Sequence, residues 1–306
     1  MKVICLSENQ PGAGGCPGEH GLSLYIETGA HRILMDTGQS DLFIRNAEPL
    51  GVDLSAVDTV VLTHGHYDHG GGLPFFLKIN QTAKIYASEN AFRQFYSIHD
   101  DEARYIGLPE GLEQEERIIR VLGNQTLDAN LSVLAEIPEN HPVPSASAAL
   151  KVKHNGVLEP DTFDHEIALV VREGSALYLF SGCAHHGILN ILDGFRAVYR
   201  NEPAAVFSGF HMKKQRYEDE DINMILDTAM ALNRTHSVYY TGHCTGTAPY
   251  EAMKKIMKDK LNYIHSGDIV TLAPKKGKGG MHWHKLFAWG TVVCFAMTMI
   301  TGYRHK

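Results

Sequence analysis

One histidine-rich loop decides how this chain is interpreted: Thr63-His64-Gly65-His66-Tyr67-Asp68-His69-Gly70-Gly71-Gly72. It follows residues 57–63, a run rich in β-branched side chains that predicts a strand. In extended backbone, side chains two residues apart point to the same side, so the imidazoles of His64 and His66 can reach one metal ion. The loop therefore predicts a metal site at the end of a strand.

The second half of the loop extends this prediction to two metals. Asp68 and His69 are placed for a second ion about 3.5–4 Å from the first, the spacing typical of binuclear hydrolases. Residues 70–72 are glycines, which allow a tight turn without side-chain obstruction. The alternative is a histidine-rich surface loop or an adventitious nickel site. Four candidate ligands within six residues, directly after a strand, favour the metal centre.

The rest of residues 1–272 alternates short β-type runs with helical stretches, which favours a layered α/β domain. The expected hairpins and helices are, in chain order, a hairpin at 22–27 with 32–35, a helix at 88–96 capped by Ser88, a hairpin at 167–171 with 176–180, and helices at 187–199, 218–232 and 248–258. Residues 99–117 carry seven acidic side chains against two arginines. They predict a surface insertion, which could be a lid over a site.

The H-x-H-x-D-H arrangement closely resembles the signature of the metallo-β-lactamase fold superfamily. Two further motifs extend the resemblance over residues 1–272, namely Asp36-Thr37-Gly38 and Thr241-Gly242-His243. The resemblance implies an α/β fold, a four-layer αβ/βα sandwich with two metals at one edge. It also implies that His64, His66, Asp68, His69 and His243 bind metal. Asp36 would orient these residues without binding metal itself.

The middle motifs depart from the commonest pattern, which has a histidine about twenty residues before a Gly-Asp pair. Here Ser181-Gly182-Cys183-Ala184-His185-His186-Gly187 stands where Gly-Asp is expected. We expect His185 to supply the missing imidazole, with His186 as the alternative. Cys183 lies near the bridging-aspartate position, and we place it beside the metal ligands, either as a metal thiolate or as a small buried residue. His165 occupies the region of the missing histidine, but we expect it at the surface.

One subfamily is particularly similar. Its motifs are matched by G-C-A-H-x-G-I-x-N at residues 182–190, by residues 208–211 and by residues 241–246. These resemble the dihydropteroate-synthase-like proteins, which are described as 7,8-dihydropterin-6-methyl-4-(β-D-ribofuranosyl)aminobenzene-5′-phosphate synthases. Within these motifs His211, followed by Lys213, is a candidate for contacting substrate. A run of basic side chains is also common on an ordinary solvated surface.

The predicted chemistry follows from two divalent metals, which make hydroxide available near neutral pH and bind anionic oxygens. We expect zinc, with iron or manganese as alternatives, because sites of histidine and aspartate accept all three. Asp68 and His185 are the candidate catalytic residues, and the substrate is expected to be an anionic small molecule. The synthase-like reaction on a phosphorylated or pterin-type compound is one hypothesis. Hydrolysis of a phosphoester, thioester or lactone is the second, and a non-catalytic metal-loaded binding or sensor protein is the third.

Composition limits the partners and the location. The formal net charge is −7, which argues against a nucleic-acid partner because such a protein needs a basic face. Five cysteines without a C-x-x-C pair favour a reducing compartment over a disulfide framework. The apolar run at residues 1–6 is too short for a signal-peptide core, so we expect a cytoplasmic domain.

The C-terminal part of the chain has a different character. Residues 273–285 form a Gly- and Lys-rich stretch that reads as a linker, and residues 286–303 contain no charged side chain. As a helix, these eighteen residues would span roughly 27 Å, close to the thickness of a bilayer core. We therefore predict a C-terminal apolar helix that anchors the domain to the cytoplasmic membrane. The alternative is a helix buried against the globular domain.

Overall fold

The computed structural model describes residues 1–12, 14–100 and 102–272. Within them lie eighteen strands. In chain order these are β1 (Lys2–Ser7), β2 (Ser23–Glu27), β3 (Arg32–Met35), β4 (Thr59–Leu62), β5 (Lys84–Ser88), β6 (Gln94–His99), β7 (Glu102–Tyr105), β8 (Ile118–Val121), β9 (Gln125–Thr126), β10 (Leu131–Leu134), β11 (Leu150–His154), β12 (Val157–Pro160), β13 (Ala168–Glu173), β14 (Ala176–Phe180), β15 (Ala205–Phe207), β16 (Val238–Thr241), β17 (Leu261–Tyr263) and β18 (Ile269–Thr271).

The described residues also form six α-helices. These are α1 (Leu42–Ala47), α2 (Tyr67–Gly70), α3 (Leu73–Ile79), α4 (Ile188–Tyr199), α5 (Asp219–Asn233) and α6 (Thr247–Met257). Helix α5 begins with a reciprocal capping box between Glu218 and Asp221, which satisfies two backbone N–H groups that would otherwise lack partners. Such caps explain why this predicted helix starts within one residue of where it was expected.

The strands form two seven-stranded sheets and one four-stranded sheet. The first has the order β18-β1-β2-β3-β4-β5-β8, and the second has the order β17-β16-β15-β14-β13-β10-β9. In each large sheet, one half is antiparallel and the other half is parallel. The small sheet, β12-β11-β6-β7, is antiparallel throughout.

The alternation of side chains along the strands builds a four-layer sandwich. In β1, Val3 and Cys5 belong to the cluster shared by the two large sheets, whereas Ile4 and Leu6 belong to the cluster that α1 and α3 cover. Because successive side chains of a strand point to opposite faces, each large sheet is buried on both sides. Helices α4, α5 and α6 cover the outer face of the second sheet, where Phe195 is fully buried. The layers are therefore α, β, β and α, as predicted.

The parallel halves of the two sheets explain where the motifs meet. Strands β14, β15 and β16 are parallel, so their carboxyl ends lie at one edge of the second sheet. Strands β3 and β4 are likewise parallel neighbours in the first sheet. Each of these five strands is followed directly by one of the predicted motifs. Strand direction alone thus brings residues separated by up to about two hundred positions to one edge.

Both predicted hairpins and the three long helices are confirmed to within a residue or two. The helix predicted from Ser88 to residue 96 is wrong: a 3-10 turn at Glu89–Phe92 leads directly into strand β6. The reason is visible in β6, where Phe95 and Ser97 are buried and alternate with more exposed neighbours, a period of two rather than 3.6. Strand β7 lies within the predicted 99–117 insertion and pairs with β6.

The predicted membrane anchor requires correction. No helix in the described residues is long and apolar enough to cross a membrane, and this contradicts the membrane partner and the anchoring at the cytoplasmic membrane. The linker predicted at 273–285 and the apolar helix predicted at 286–303 lie outside the described residues.

Candidate metal centre

The loop after β4 presents two imidazoles side by side in the protein interior. His64 and His66 are 0% and 4% exposed, and their ring centroids lie 4.6 Å apart. The Nδ1 atom of His64 contacts the hydroxyl of Thr63 at 3.0 Å, which orients the ring. The Nε2 atoms of both histidines are buried and have no hydrogen-bond partner. An unpartnered buried nitrogen is costly unless it binds something, so these two atoms fit metal ligands.

His185 completes this group from the second sheet. Its ring centroid lies 4.8 Å from that of His64 and 4.9 Å from that of His66, and both of its ring nitrogens lack a partner. The turn that delivers it is tight, because Ala184 adopts a positive φ of 54° and Gly187 one of 87°. Alanine rarely adopts that conformation, so the surrounding contacts must hold it in place. The structure thus brings three predicted imidazoles together.

A second donor group also lies next to Cys183. The Nε2 atom of His69 is 3.1 Å from Cys183 Sγ and 3.2 Å from His243 Nε2. Asp68 Oδ2 lies 3.2 Å from His243 Nε2 and 3.8 Å from His69 Nε2. These four side chains provide the nitrogen, sulfur and oxygen donors that zinc prefers.

Cys183 belongs to both groups. Its Sγ lies within 4.8 Å of the donor atoms of His64 and His185, and equally within 4.8 Å of those of His69 and His243. The thiol is buried, and burial raises its pKa, so a thiolate here requires a neighbouring cation. The sulfur therefore lies close to donor atoms of both groups.

Asp36, which the sequence suggested as a residue that orients the ligands, contacts Thr63 and His69 of the first loop. Its carboxylate accepts hydrogen bonds from the Thr63 backbone N–H at 2.8 Å and from the Thr63 hydroxyl at 2.7 Å. Its Oδ2 also lies 2.6 Å from His69 Nδ1. A carboxylate on Nδ1 leaves Nε2 as the nitrogen that faces the donor group.

Two residues that sequence reasoning missed hold His243. The His243 backbone N–H donates to the buried carboxylate of Glu8, which also accepts a hydrogen bond from the Tyr263 hydroxyl at 2.9 Å. The Nδ1 atom of His243 lies 2.9 Å from Asn9 Oδ1. Glu8 and Asn9 follow β1 and lie more than two hundred residues from His243 in sequence, so no local pattern reveals this contact.

His165 is fully buried, which corrects the prediction of a surface position. Its Nδ1 accepts a hydrogen bond from the Gly65 N–H at 3.0 Å, so its Nε2 carries the proton and faces Asp161 Oδ2 at 3.1 Å. The ring also packs against Phe95, with centroids 4.1 Å apart. His165 therefore supports the backbone between His64 and His66, and its position about twenty residues before His185 was the available signal.

Glu166 is a third residue that sequence reasoning missed. Its buried carboxylate accepts the His185 N–H at 2.6 Å and the His186 N–H at 3.0 Å. Its Oε2 also lies 2.8 Å from His186 Nδ1. His186 is therefore tied to this carboxylate, and His185 is the histidine of the pair that faces the other imidazoles.

The electrostatics suit cation binding. Burial lowers the pKa of His64 well below its usual range and that of His66 to about 3, so both rings are neutral and retain a free lone pair at neutral pH. Burial opposes ionisation of Asp68, but the neighbouring His69 and His243 outweigh it and hold the pKa of Asp68 well below its usual range. Burial likewise opposes protonation of His69, yet Asp36 and Asp68 raise its pKa to about 9. Asp36 and Asp68 thus make the second donor group a favourable environment for a positively charged species.

A cavity of about 210 Å³ opens beside both donor groups. It is lined by His20, His66, Tyr67, Asp68, Ser97, His99, Arg104, Ile106, Leu150, Cys183, His185, His211, His243 and Cys244. His211, a candidate for contacting substrate, is in this wall, and its ring lies 4.2 Å from that of His185. Lys213, the other candidate, is exposed and does not line the cavity.

Known proteins are similar to this chain in sequence and in structure over most of its length. A 7,8-dihydropterin-6-methyl-4-(β-D-ribofuranosyl)-aminobenzene-5′-phosphate synthase from Methanocaldococcus jannaschii is 27% identical over 296 residues, covering 88% of this chain and 96% of the synthase. The solved structure of Tm1679, described as a metal-dependent hydrolase of the β-lactamase superfamily, is 28% identical with a TM-score of 0.74 and covers 90% of this chain and 100% of that one.

A more distant structure, the Zn²⁺-bound PqqB of Methylobacterium extorquens, shares the fold with a TM-score of 0.50 at 12% identity, covering 89% of this chain and 100% of that one. The family model for the metallo-β-lactamase superfamily matches residues 16–236, most of the described part of the chain. This fold normally binds divalent metal ions, and the donor groups described above lie at one edge of the sandwich. The chain therefore belongs to the metallo-β-lactamase superfamily.

Proposed function

We propose that this chain is a binuclear metal-dependent enzyme that acts on a phosphorylated or pterin-type small molecule. The observation that carries the proposal is the clustering of His64, His66 and His185, whose Nε2 atoms are buried and unpartnered and whose ring centroids lie within 4.9 Å of one another; Cys183 lies next to His64 and His185. His69, Asp68 and His243 form the second donor group, which also lies next to this sulfur. Two adjacent donor sets that share one atom are what a pair of ions requires.

Divalent ions held by these residues would supply hydroxide near neutral pH and would neutralise the charge that develops on a leaving group. Zinc suits the mixture of imidazole, carboxylate and thiol donors, with iron or manganese as alternatives. Asp68 is placed to orient a nucleophile or to hold a proton, because its Oδ2 also lies 3.3 Å from His20 Nε2 at the cavity wall. His185 reaches the cavity from the opposite donor group.

The synthase-like reaction is supported by the relative from Methanocaldococcus jannaschii, whose match extends over most of both chains. In such a reaction a pterin with an activated methylene group loses pyrophosphate while an arylamine forms a new C–N bond. The test is to incubate the purified protein with a 6-hydroxymethyl-dihydropterin diphosphate and an aminobenzene ribofuranosyl phosphate. Release of pyrophosphate that depends on the arylamine supports this reaction.

Hydrolysis is the second candidate, and the similarity to Tm1679 specifically favours it. Here water would add to the phosphorus of a phosphoester or to the carbonyl carbon of a thioester or lactone, and the bond to the alcohol or thiol leaving group would break. The same protein is tested on p-nitrophenyl phosphate, an acyl thioester and a lactone. Turnover that does not depend on an arylamine favours hydrolysis over the synthase reaction.

Both proposed reactions require bound metal, so the metal content per chain tests the basis of each. The full-length chain, purified without a metal-binding tag, is expected to hold about two metals, with fewer in His66→Ala and His185→Ala. His31→Ala is the matched control, because His31 contacts Asp58 at the surface, away from both donor groups. Metal near zero, or metal fully retained by His66→Ala, contradicts the proposal. Bound metal without turnover of any substrate would favour a binding or sensor protein.

A further inference from the structure

One wall of the cavity contains none of the proposed metal ligands. Strands β6 and β7 form a hairpin in which Ser97 pairs with Arg104, so these two side chains lie on the same face. His99 lies two residues beyond Ser97 on that face, and the Ser97 hydroxyl is 2.8 Å from His99 Nε2. All three side chains line the cavity.

Arg104 is the only lysine or arginine among the described residues that line this cavity. It takes part in none of the ion pairs within the described residues, and its guanidinium lies 5.6 Å from the centre of the Tyr67 ring. The guanidinium also hydrogen-bonds the Tyr67 side chain, and the remainder of its five N–H donors can bind a ligand. Tyr67 lies between His66 and Asp68, so this cation is fixed to the loop that carries the metal donors.

We propose that Arg104 and the Ser97 hydroxyl form an anion subsite that binds a phosphate or carboxylate group of the substrate. The inference rests on the proposed function, in which the two donor groups bind the reacting end of the molecule. A guanidinium presents a planar fork that matches phosphate and carboxylate oxygens and stays charged at every physiological pH. The enzyme would then select substrates with a second anionic group.

The test uses small anions with one or two charged ends. Methylphosphonate has one anionic end, whereas phosphonoacetate, 3-phosphonopropionate and 4-phosphonobutyrate add a carboxylate at increasing distance. Calorimetric titration of the metal-loaded, full-length protein should show tighter binding for at least one of the longer compounds. In Arg104→Ala that compound should lose affinity about ten- to a hundredfold, since a hydrogen-bonded charge pair is removed. Methylphosphonate should change less than about threefold.

Two further variants sharpen the comparison. Arg104→Lys keeps the charge but not the fork, so it should recover part of the lost affinity. Lys153→Ala is the matched control: Lys153 lies over the Tyr96 ring at 5.9 Å, and both are on the opposite face of the same small sheet. Lys153→Ala should therefore bind every probe as the wild type does.

The outcomes separate this inference from the proposed function. Equal loss of affinity for methylphosphonate and the longer anions in Arg104→Ala, or no loss for any of them, overturns the anion subsite. A wild type that binds all four probes equally also overturns it. If the protein holds no metal, the proposed function fails; the subsite then still requires weaker binding of inorganic phosphate in Arg104→Ala, and unchanged binding contradicts it.

Discussion

Replacing Asp36 with asparagine separates the charge of this carboxylate from its shape. Asp36 is fully buried and accepts hydrogen bonds from the backbone and hydroxyl of Thr63, while its Oδ2 lies 2.6 Å from His69 Nδ1. Its φ of 57° lies in the left-handed region, which asparagine adopts about as readily as aspartate. The Asp36→Asn variant should therefore keep the backbone conformation and change only the Oδ2 position, which faces His69 and accepts the Thr63 hydroxyl.

The magnitude follows from the hydrogen bonds that asparagine can make. Its oxygen can still accept the Thr63 N–H, but its amide nitrogen must then face His69 Nδ1. His69 would respond by accepting on Nδ1 and carrying its proton on Nε2, the atom that faces Cys183 and His243. A protonated Nε2 cannot bind metal. We expect metal affinity to fall about 10- to 100-fold, or about 1.4–2.7 kcal/mol. Unfolding of the metal-free protein should become easier by about 1.5–3 kcal/mol.

The assay is competition for zinc with a chromophoric chelator, alongside urea unfolding of the metal-free protein. Asp58→Asn is a matched control, because Asp58 also accepts from a backbone N–H and a threonine hydroxyl and lies 3.0 Å from His31 Nδ1. That carboxylate is at the surface, so its loss should leave zinc affinity unchanged and cost less than about 1 kcal/mol of stability. Zinc affinity in Asp36→Asn within twofold of the wild type would refute the reasoning.

Three further changes have expected outcomes. Phe180→Ala removes a fully buried ring stacked on Phe207 at 4.9 Å, and urea unfolding should show a loss of about 3–5 kcal/mol; a loss under 1 kcal/mol would contradict that packing. In Gly182→Ala, the new Cβ would lie 2.2 Å from Thr63 Oγ1 and 3.1 Å from His64 Nδ1. The free energy of unfolding should therefore fall by about 1–3 kcal/mol, and the metal content per chain should drop. An unchanged metal content would contradict this prediction. Removing metal with a chelator should lower the melting temperature by about 5–10 °C, provided that free metal was about a hundredfold above its Kd. If calorimetry shows no shift of the melting temperature, the folded state does not bind metal.

The sequence allowed much of the site to be predicted because its residues stand at strand ends. His64 and His66 follow β4, His185 follows β14 and His243 follows β16, and a strand followed by a polar motif is visible in a single sequence. Parallel strands then place these ends at one edge without further information. The long helices were predictable for the same reason, because their apolar period and caps are local signals.

The features that could not be predicted from the sequence depend on contacts between distant parts of the chain. Glu8 reaches His243 across 235 positions, and the small sheet joins β6 to β11 across a long intervening segment. Residues 88–96 were assigned to a helix because Ser88 could cap it, yet pairing of residues 94–99 with β11 and β7 imposes a strand. Tertiary contacts therefore determine which residues line this wall of the cavity, and Arg104 is one of them.

Glu166, also missed, leads to a prediction about how the two donor groups share Cys183. Its carboxylate holds the backbone of His185, which belongs with His64 and Cys183, whereas Asp36 faces His69, which belongs with Cys183 and His243. Glu166→Gln keeps one acceptor and loses the charge, so binding at the His185 group should weaken about tenfold.

Stepwise zinc titration of Glu166→Gln and Asp36→Asn is the measurement. Each variant should retain one tight metal and bind the second weakly, and the double variant should bind both weakly, since Asp36 contacts the ring of His69 directly whereas Glu166 holds the backbone of His185. Asp58→Asn again serves as the control, with both metals retained. If either single variant loses both metals together, the shared sulfur of Cys183 couples the ions so strongly that neither donor group binds alone, and the metal centre must then be treated as one cooperative unit.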